Sequence, residues 1–366
     1  MIDTPRSVPA LVAALCLVAV GHPLLGADDP SVRPTANQAP LHFPRGGPAT
    51  PADLAEMARL SSLPGLTPGA GDGDYLVMPP YAPASEQTPR PDVPKGRIVA
   101  FMLPAAGSAF YPGTGMRGAV PARRVTVYIP SQYVPGSPAP LLVTQDAMGA
   151  QNNQLPTILD NLIAAHRLPA LVAVMVGNGG GDARGSERGL EYDTVSGKFA
   201  DFIEAEVIPK VARDYHITFT QDPDGRATMG GSSGGAAAFT MAWFHPDLYR
   251  RVLTYSGTYT NNQTEVDPAL PHGAWEYHEH LVPGTEPKPL RIWMEVGEHD
   301  NGSVNTAADL HNWVIANERM AAALKAKGYH YQFVFALGAG HVDRRVVVQT
   351  LPGALEWLWR GYQPPK

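Results

Sequence analysis

Ala227-Thr228-Met229-Gly230-Gly231-Ser232-Ser233-Gly234-Gly235-Ala236-Ala237-Ala238-Phe239 is the stretch whose reading decides the fold. A short β-like run enters it and an alanine-rich helical run leaves it. Between them lie only glycine and serine. A nucleophile held at the tip of a sharp strand-to-helix turn needs small neighbours, because bulky ones clash with the backbone. Two registers satisfy Gly-x-Ser-x-Gly. One starts at Gly230 and makes Ser232 the nucleophile; the other starts at Gly231 and selects Ser233. Gly235 favours Ser232, since it opens the helix where close packing on a sheet is useful. A phosphate-binding loop would need Gly-Lys-Ser/Thr, which is not present here.

Serine is a weak nucleophile at its free pKa and needs a base. His341 fits: it follows the last expected strand, and Gly338 and Gly340 leave its loop free to bend. His299, His311 and His330 are the alternatives. The base in turn needs an orienting carboxylate. Asp300 follows the strand 291–296 in the turn Gly297-Glu298-His299-Asp300, with Glu298 its nearest rival. The order Ser, Asp, His is a triad order. An oxyanion hole requires backbone N–H groups. Ser233, the residue after the nucleophile, supplies one. Ala147, just beyond Asp146, is the best second donor, and Met148 the next.

The flanks repeat the strand-then-helix pattern. Strands are expected at 98–103, 124–129, 140–145, 170–176, 227–229, 252–256, 291–296 and 331–336. Helices are expected at 155–166, 199–215, 235–244, 307–327 and 352–359. Such alternation implies an α/β fold with a mostly parallel sheet and helices on both faces. The loop after 170–176 carries Arg188 and Glu191, on the side of the sheet where loops build a site. The two are expected to pair; the other reading has Arg188 grip an acidic substrate. Trp275 and Tyr277 are expected on a rim loop, offering aromatic surface to a ring or sugar. His272, His278 and His280 lie in the same loop with Glu276 and Glu279. No His-Glu-x-x-His helix is present, so the reading is a rim loop with no metal.

Composition narrows the function class. Only 17% of residues are charged and the net charge is −6, so nothing basic is concentrated enough to bind a nucleic-acid backbone. Arg6, the apolar run 8–20 and the small residues to Ala27 outline a secretory signal peptide over 1–27. The run is broken by Gly21, His22 and Pro23, so stable membrane insertion is not expected. The sole cysteine, Cys16, falls in this segment, so a cysteine nucleophile and a thiolate metal site are excluded from the mature chain. Residues 28–95 are rich in Pro, Gly and Ala. They read as an extension packed on the catalytic domain 96–366, with one short helix at 51–60.

Over roughly residues 74–360 the chain resembles the α/β-hydrolase esterases grouped with enterochelin (siderophore) esterases, feruloyl esterases and esterase D. The likeness is carried by Asp74-Tyr75, Pro79-Pro80-Tyr81, Glu191-Tyr192-Asp193, 227–239, Trp243 with Pro246-Asp247, and 317–359. It implies Ser232, Asp300 and His341 as the triad and Ala147 and Ser233 as oxyanion donors. Ala147 stands where the family commonly has glycine. The resemblance further implies cleavage of carboxylic esters through an acyl-enzyme, without metal or cofactor. Family substrates span cinnamoyl sugars, siderophore trilactones and small acyl esters, so a small-molecule or oligosaccharide ester is expected. Lactonase, acyltransferase and non-catalytic ligand binding are the alternatives. Asp146, Met148, Arg188, Glu191, Trp275 and Tyr277 are the substrate-contact expectations, and the oligomeric state is open.

Overall fold

The computed structural model describes residues 60–364 except 115, 151–153 and 183. The expected leader, Cys16 and nearly all of the helix expected at 51–60 lie outside the described residues. Nine strands form one sheet: β1 (Gly73–Val77), β2 (Arg97–Pro104), β3 (Ala122–Ile129), β4 (Leu141–Gln145), β5 (Val172–Val176), β6 (Arg226–Gly231), β7 (Arg251–Tyr255), β8 (Arg291–Gly297) and β9 (His330–Ala336). Their order is β1-β9-β8-β7-β6-β4-β5-β3-β2. All neighbours are parallel except β2 with β3 and β3 with β5. β4 and β5 read Leu-Leu-Val-Thr-Gln and Val-Ala-Val-Met-Val and are buried along their whole length, as strands covered on both faces must be.

The helices are α1 (Leu155–Ala164), α2 (Glu187–Tyr192), α3 (Lys198–Phe202), α4 (Ile208–Tyr215), α5 (Ser233–Phe244), α6 (Trp313–Ala326) and α7 (Arg344–Trp359). One core layer packs Phe199, Phe202, Phe239, Trp243 and Met320 against one face of the sheet. The other packs Leu159, Leu162, Leu351, Leu355 and Trp357 of α1 and α7 against the opposite face. This is an α/β-hydrolase fold.

Four elements differ from expectation, each for a local reason. First, β1 lies ahead of residue 96 and joins the sheet beside β9. Second, the helix expected over 307–327 starts only at Trp313. Leu310 is left-handed (φ 55°), and the Asn312 side chain accepts from the Ile315 N–H at 3.0 Å to begin a new helix. Third, the last helix starts at Arg344, capped by Asp343, and runs through Pro352. Proline cannot bond the carbonyl four residues back. That carbonyl, Val348, instead accepts from the Ala84 N–H and from Gln87 Nε2, both at 3.1 Å. The segment before β2 thus satisfies the defect Pro352 creates. Fourth, between α3 and α4 the chain passes through a π-helical turn (Ile203–Val207), directly ahead of Pro209. The wider turn absorbs the bond that proline removes.

Candidate active site

Ser232 lies between the end of β6 and the start of α5, with φ 57° and ψ −131°, a backbone conformation that non-glycine residues rarely hold. Neighbouring backbone fixes it there. The Ser232 N–H donates to the Tyr255 carbonyl at 2.9 Å, and the Ser232 carbonyl accepts from the Thr258 N–H at 3.1 Å. The turn closes so tightly that a Cβ on Gly230 would lie 2.2 Å from the Gly234 carbonyl oxygen. A Cβ on Gly235 would lie 3.2 Å from Gly257 Cα, so this glycine does sit at the helix–sheet contact.

His341 Nε2 lies 2.8 Å from Ser232 Oγ, and His341 Nδ1 lies 2.6 Å from Asp300 Oδ1. A carboxylate only accepts, so Nδ1 carries the proton and Nε2 is left to accept from the serine hydroxyl. Asp300 is fully shielded, whereas the His341 side chain keeps 24% of its surface exposed. Asp300 Oδ1 also accepts from the Asn301 N–H at 2.7 Å, and Oδ2 accepts from Ser256 Oγ at 2.5 Å. The Trp313 indole meets the His341 ring edge to face at 6.0 Å.

The rivals are otherwise engaged. Ser233 is buried and donates its hydroxyl to Asp193 Oδ2 at 3.1 Å. Glu298 accepts from the Gly338 N–H at 2.7 Å. His299 lies beside Glu298, His311 against the Asp309 carbonyl, and His330 against Asp72. Burial pushes the Asp193 carboxyl up to about 7 despite hydrogen bonds from Ser233 and Asn262.

The oxyanion expectation is corrected in part. The Ser233 N–H stands at the start of α5, where helix geometry leaves it without an intrahelical acceptor. The Ala147 N–H, however, donates to the Val176 carbonyl at 2.8 Å, and the Met148 N–H to the Gln145 carbonyl at 2.9 Å. Asp146 and Ala147 are both left-handed (φ 56° and 49°), which turns the chain back on the end of β5 and engages these donors.

Arg188 does not pair with Glu191, a second correction. Its Nε and Nη2 donate to the Asp146 carboxylate at 3.0 and 2.7 Å, and Asn178 Nδ2 adds a bond at 2.7 Å. The Tyr192 hydroxyl accepts from the Asp146 N–H at 3.1 Å. Glu191 faces the other way, bound to Arg123 at 2.5 Å and to the Gly179 N–H at 2.8 Å. Burial lifts Glu191 to about 7 in spite of that arginine.

Trp275 and Tyr277 are the third correction: both are buried and neither borders the serine. The Tyr277 hydroxyl donates to Thr240, and its ring packs 4.9 Å from Phe239. Trp275 lies against His278, under the Arg319 guanidinium. Apolar rings buried in a helix–helix layer outweigh their value as loop surface. In the same loop, His272 Nδ1 is 3.4 Å from Glu276 and 3.8 Å from Glu279, and His280 Nδ1 is 2.5 Å from Glu276. His278 is buried apart from them, and burial drives its pKa down to about 3.

Ser232 and His341 open onto a cavity of about 640 Å³, bordered also by Ile98, Arg124, Met148 and Arg188. That is the size range of a small-molecule site. Asn178, Tyr192, Asp193, Ser256 and Trp313 are site neighbours that the sequence reading passed over. Only Tyr192 and Asp193 carried a signal, in the Glu191-Tyr192-Asp193 run. Among the described residues, no helix is long and apolar enough to cross a membrane.

The putative esterase family model matches residues 121–358. The iron(III) enterobactin esterase of Dickeya dadantii (strain 3937) is 28% identical over 256 residues, spanning 66% of this chain and 53% of that protein. The chain therefore matches about half the length of that relative. Among solved structures, the enterobactin esterase from Shigella flexneri, determined with 2,3-dihydroxy-N-benzoyl-glycine, is 20% identical. It aligns over 77% of this chain and 64% of its own with a TM-score of 0.54. The feruloyl esterase module from Clostridium thermocellum, an S954A mutant complexed with sinapinate, is 17% identical. It aligns over 82% of this chain and 99% of its own with a TM-score of 0.53. These two share the fold. With nearly two thirds of its length matched by the family model, the chain belongs to the putative esterase family.

Proposed function

We propose that this chain is a serine carboxylic ester hydrolase working through an acyl-enzyme. The observation that carries the reading is the continuous relay from Ser232 Oγ to His341 Nε2 and from His341 Nδ1 to Asp300, open to the cavity. Ser232 Oγ attacks the ester carbonyl while its proton passes to His341 Nε2. Asp300 holds the imidazole in the required tautomer and stabilises its charged form. The Ser233 N–H, reinforced by the N-terminus of α5, faces the oxyanion; one such donor is worth about 3 kcal/mol. The tetrahedral intermediate collapses, and His341 delivers its proton to the departing alcohol. Water, deprotonated by the same nitrogen, then attacks the acyl-enzyme; the acyl–Oγ bond breaks, Ser232 Oγ takes the proton back from His341, and the acid is released. No step calls for a metal or cofactor.

The proposed substrate class is an aromatic ester, feruloyl-like or carbohydrate-linked, with a siderophore-type ester as the second reading. Support for the first comes from a feruloyl esterase module among the structural neighbours, and for the second from the enterobactin esterase relative. The mixed lining suits either: Ile98 and Met148 offer apolar surface, and Arg124 offers positive charge. We further propose export, supported by Arg6 and the apolar run 8–20. Cell fractionation with and without residues 1–27 tests it.

The test of the activity is hydrolysis of p-nitrophenyl acetate and butyrate, methyl ferulate, a glucuronate methyl ester and a simple lactone by wild type and Ser232→Ala. Loss of all turnover in the variant is expected, and the preferred ester names the class. Turnover that survives Ser232→Ala rejects the mechanism.

A further inference from the structure

Ser256 follows β7, is fully buried and adopts a left-handed backbone (φ 48°). Its hydroxyl makes two contacts. It lies 2.5 Å from Asp300 Oδ2 and 2.9 Å from the Val342 N–H. Both directions are forced by chemistry: the carboxylate only accepts and the amide only donates, so Ser256 gives its single proton to Asp300 and takes the bond from Val342. Val342 is the residue after His341 and is itself left-handed (φ 45°). For a β-branched residue that is a strained conformation, held only where neighbours over-determine it. The segment around Ser256 also grips the nucleophile, through the Tyr255 carbonyl and the Thr258 N–H on the Ser232 backbone. One short segment at the end of β7 thus touches the supports of all three triad residues.

We propose that Ser256 is a positioning residue for the triad: its hydroxyl fixes the Asp300 carboxylate and the His341 loop at one separation. This rests on the serine esterase reading above. Asp300 is fully shielded from bulk water, and Ser256 Oγ is the donor at its Oδ2. Without Ser256 Oγ, the carboxylate rotates toward other donors and leaves His341 Nδ1 poorly oriented, and the strained Val342 loses its anchor. The effect falls on proton transfer rather than on substrate binding.

The test is steady-state kinetics on the best ester of the panel with wild type, Ser256→Ala, Ser256→Gly and Ser232→Ala, alongside the rate of labelling by a fluorophosphonate probe. Ser256→Gly tolerates the left-handed backbone without strain, so it reports on the hydroxyl even where the alanine variant folds poorly. The expected result is a roughly ten- to hundredfold fall in kcat, with KM held within about twofold and labelling slowed in parallel. Wild-type kcat in Ser256→Gly, or a loss confined to KM, overturns the positioning role while leaving the Ser232 mechanism intact. Turnover persisting in Ser232→Ala removes the mechanism and this role together.

Discussion

Gly230→Ala tests the turn geometry directly. A Cβ at this position would sit 2.2 Å from the Gly234 carbonyl oxygen, 2.3 Å from its carbon and 2.8 Å from the Gly235 nitrogen. All three are backbone atoms of the first turn of α5, so no side chain can swing aside. Real Cβ atoms essentially never come within 3.0 Å of another heavy atom, so the helix start and the strand end must separate by at least about 0.8 Å. Ser232 lies between them and carries both its 2.8 Å contact to His341 and the neighbouring Ser233 N–H. A displacement of about 1 Å in a positioned group costs about a hundredfold in rate. Overpacking a tight site costs a further 1–3 kcal/mol of stability, roughly. Gly353 is the matched control: it is helical, in α7, and a Cβ there meets nothing within 4 Å. Gly353→Ala should leave kcat unchanged and add about 1 kcal/mol of stability through backbone entropy. Ester turnover and thermal melting of the pair are the assays. A Gly230→Ala enzyme with wild-type kcat and melting temperature would mean that the turn is not the tight elbow described here.

Two further outcomes follow from buried carboxyls near the site. Arg123→Met strips the counter-charge from Glu191 at a position where both side chains are shielded, and should cost about 3–5 kcal/mol in a chemical denaturation series. Since Glu191 already titrates near 7, the loss should be smaller at pH 5, where it is protonated, than at pH 8; an equal loss at both would contradict the assignment. Asp193→Asn should change the pH dependence of stability. The folded-state pKa of Asp193 is raised to about 7 from the ordinary 3.8, so the fold favours the protonated form. The wild type therefore loses stability as pH rises from about 4 to 7, by up to about 1.4 kcal/mol per pH unit for one proton. Asparagine does not titrate, so the variant's relative stability should climb across that window and level off above it. Melting curves from pH 4 to 8 that keep a constant gap would exclude this linkage.

Much of the molecule is written locally. The alternation of short apolar strands with helices is a pattern of neighbours, and burial on both faces explains runs such as Val-Ala-Val-Met-Val without any knowledge of the partner strand. The glycines around Ser232 are likewise a local steric demand. Asp300 and His341 each follow a strand end, so their order along the chain already places them on one rim of a parallel sheet. The sequence by itself therefore determined the fold class, most strands and the three residues of the relay.

Other features depend on which distant groups come together, and those only the tertiary structure decided. Arg188 and Glu191 are close enough in sequence to pair, yet each finds a partner from a different element, Asp146 just past β4 and Arg123 in β3, with better geometry. Trp275 and Tyr277 look like rim aromatics in a loop full of histidine and glutamate, but the apolar surface of Phe239 and Trp243 draws Tyr277 inward. Ala147 presents an N–H in the right place along the chain, and the nearness of β5 takes it up. Pro352 reads as a helix start because it has no N–H to donate and nothing local replaces that donor; the freed Val348 carbonyl is satisfied from 261 residues away by Gln87. Ser256 has no local signature at all. Its role arises because β7 lies between β6 and β8, which lead to Ser232 and Asp300, while the loop after β9 reaches it through the Val342 N–H, and hydrogen bonds across such separations leave no periodicity in the chain to read.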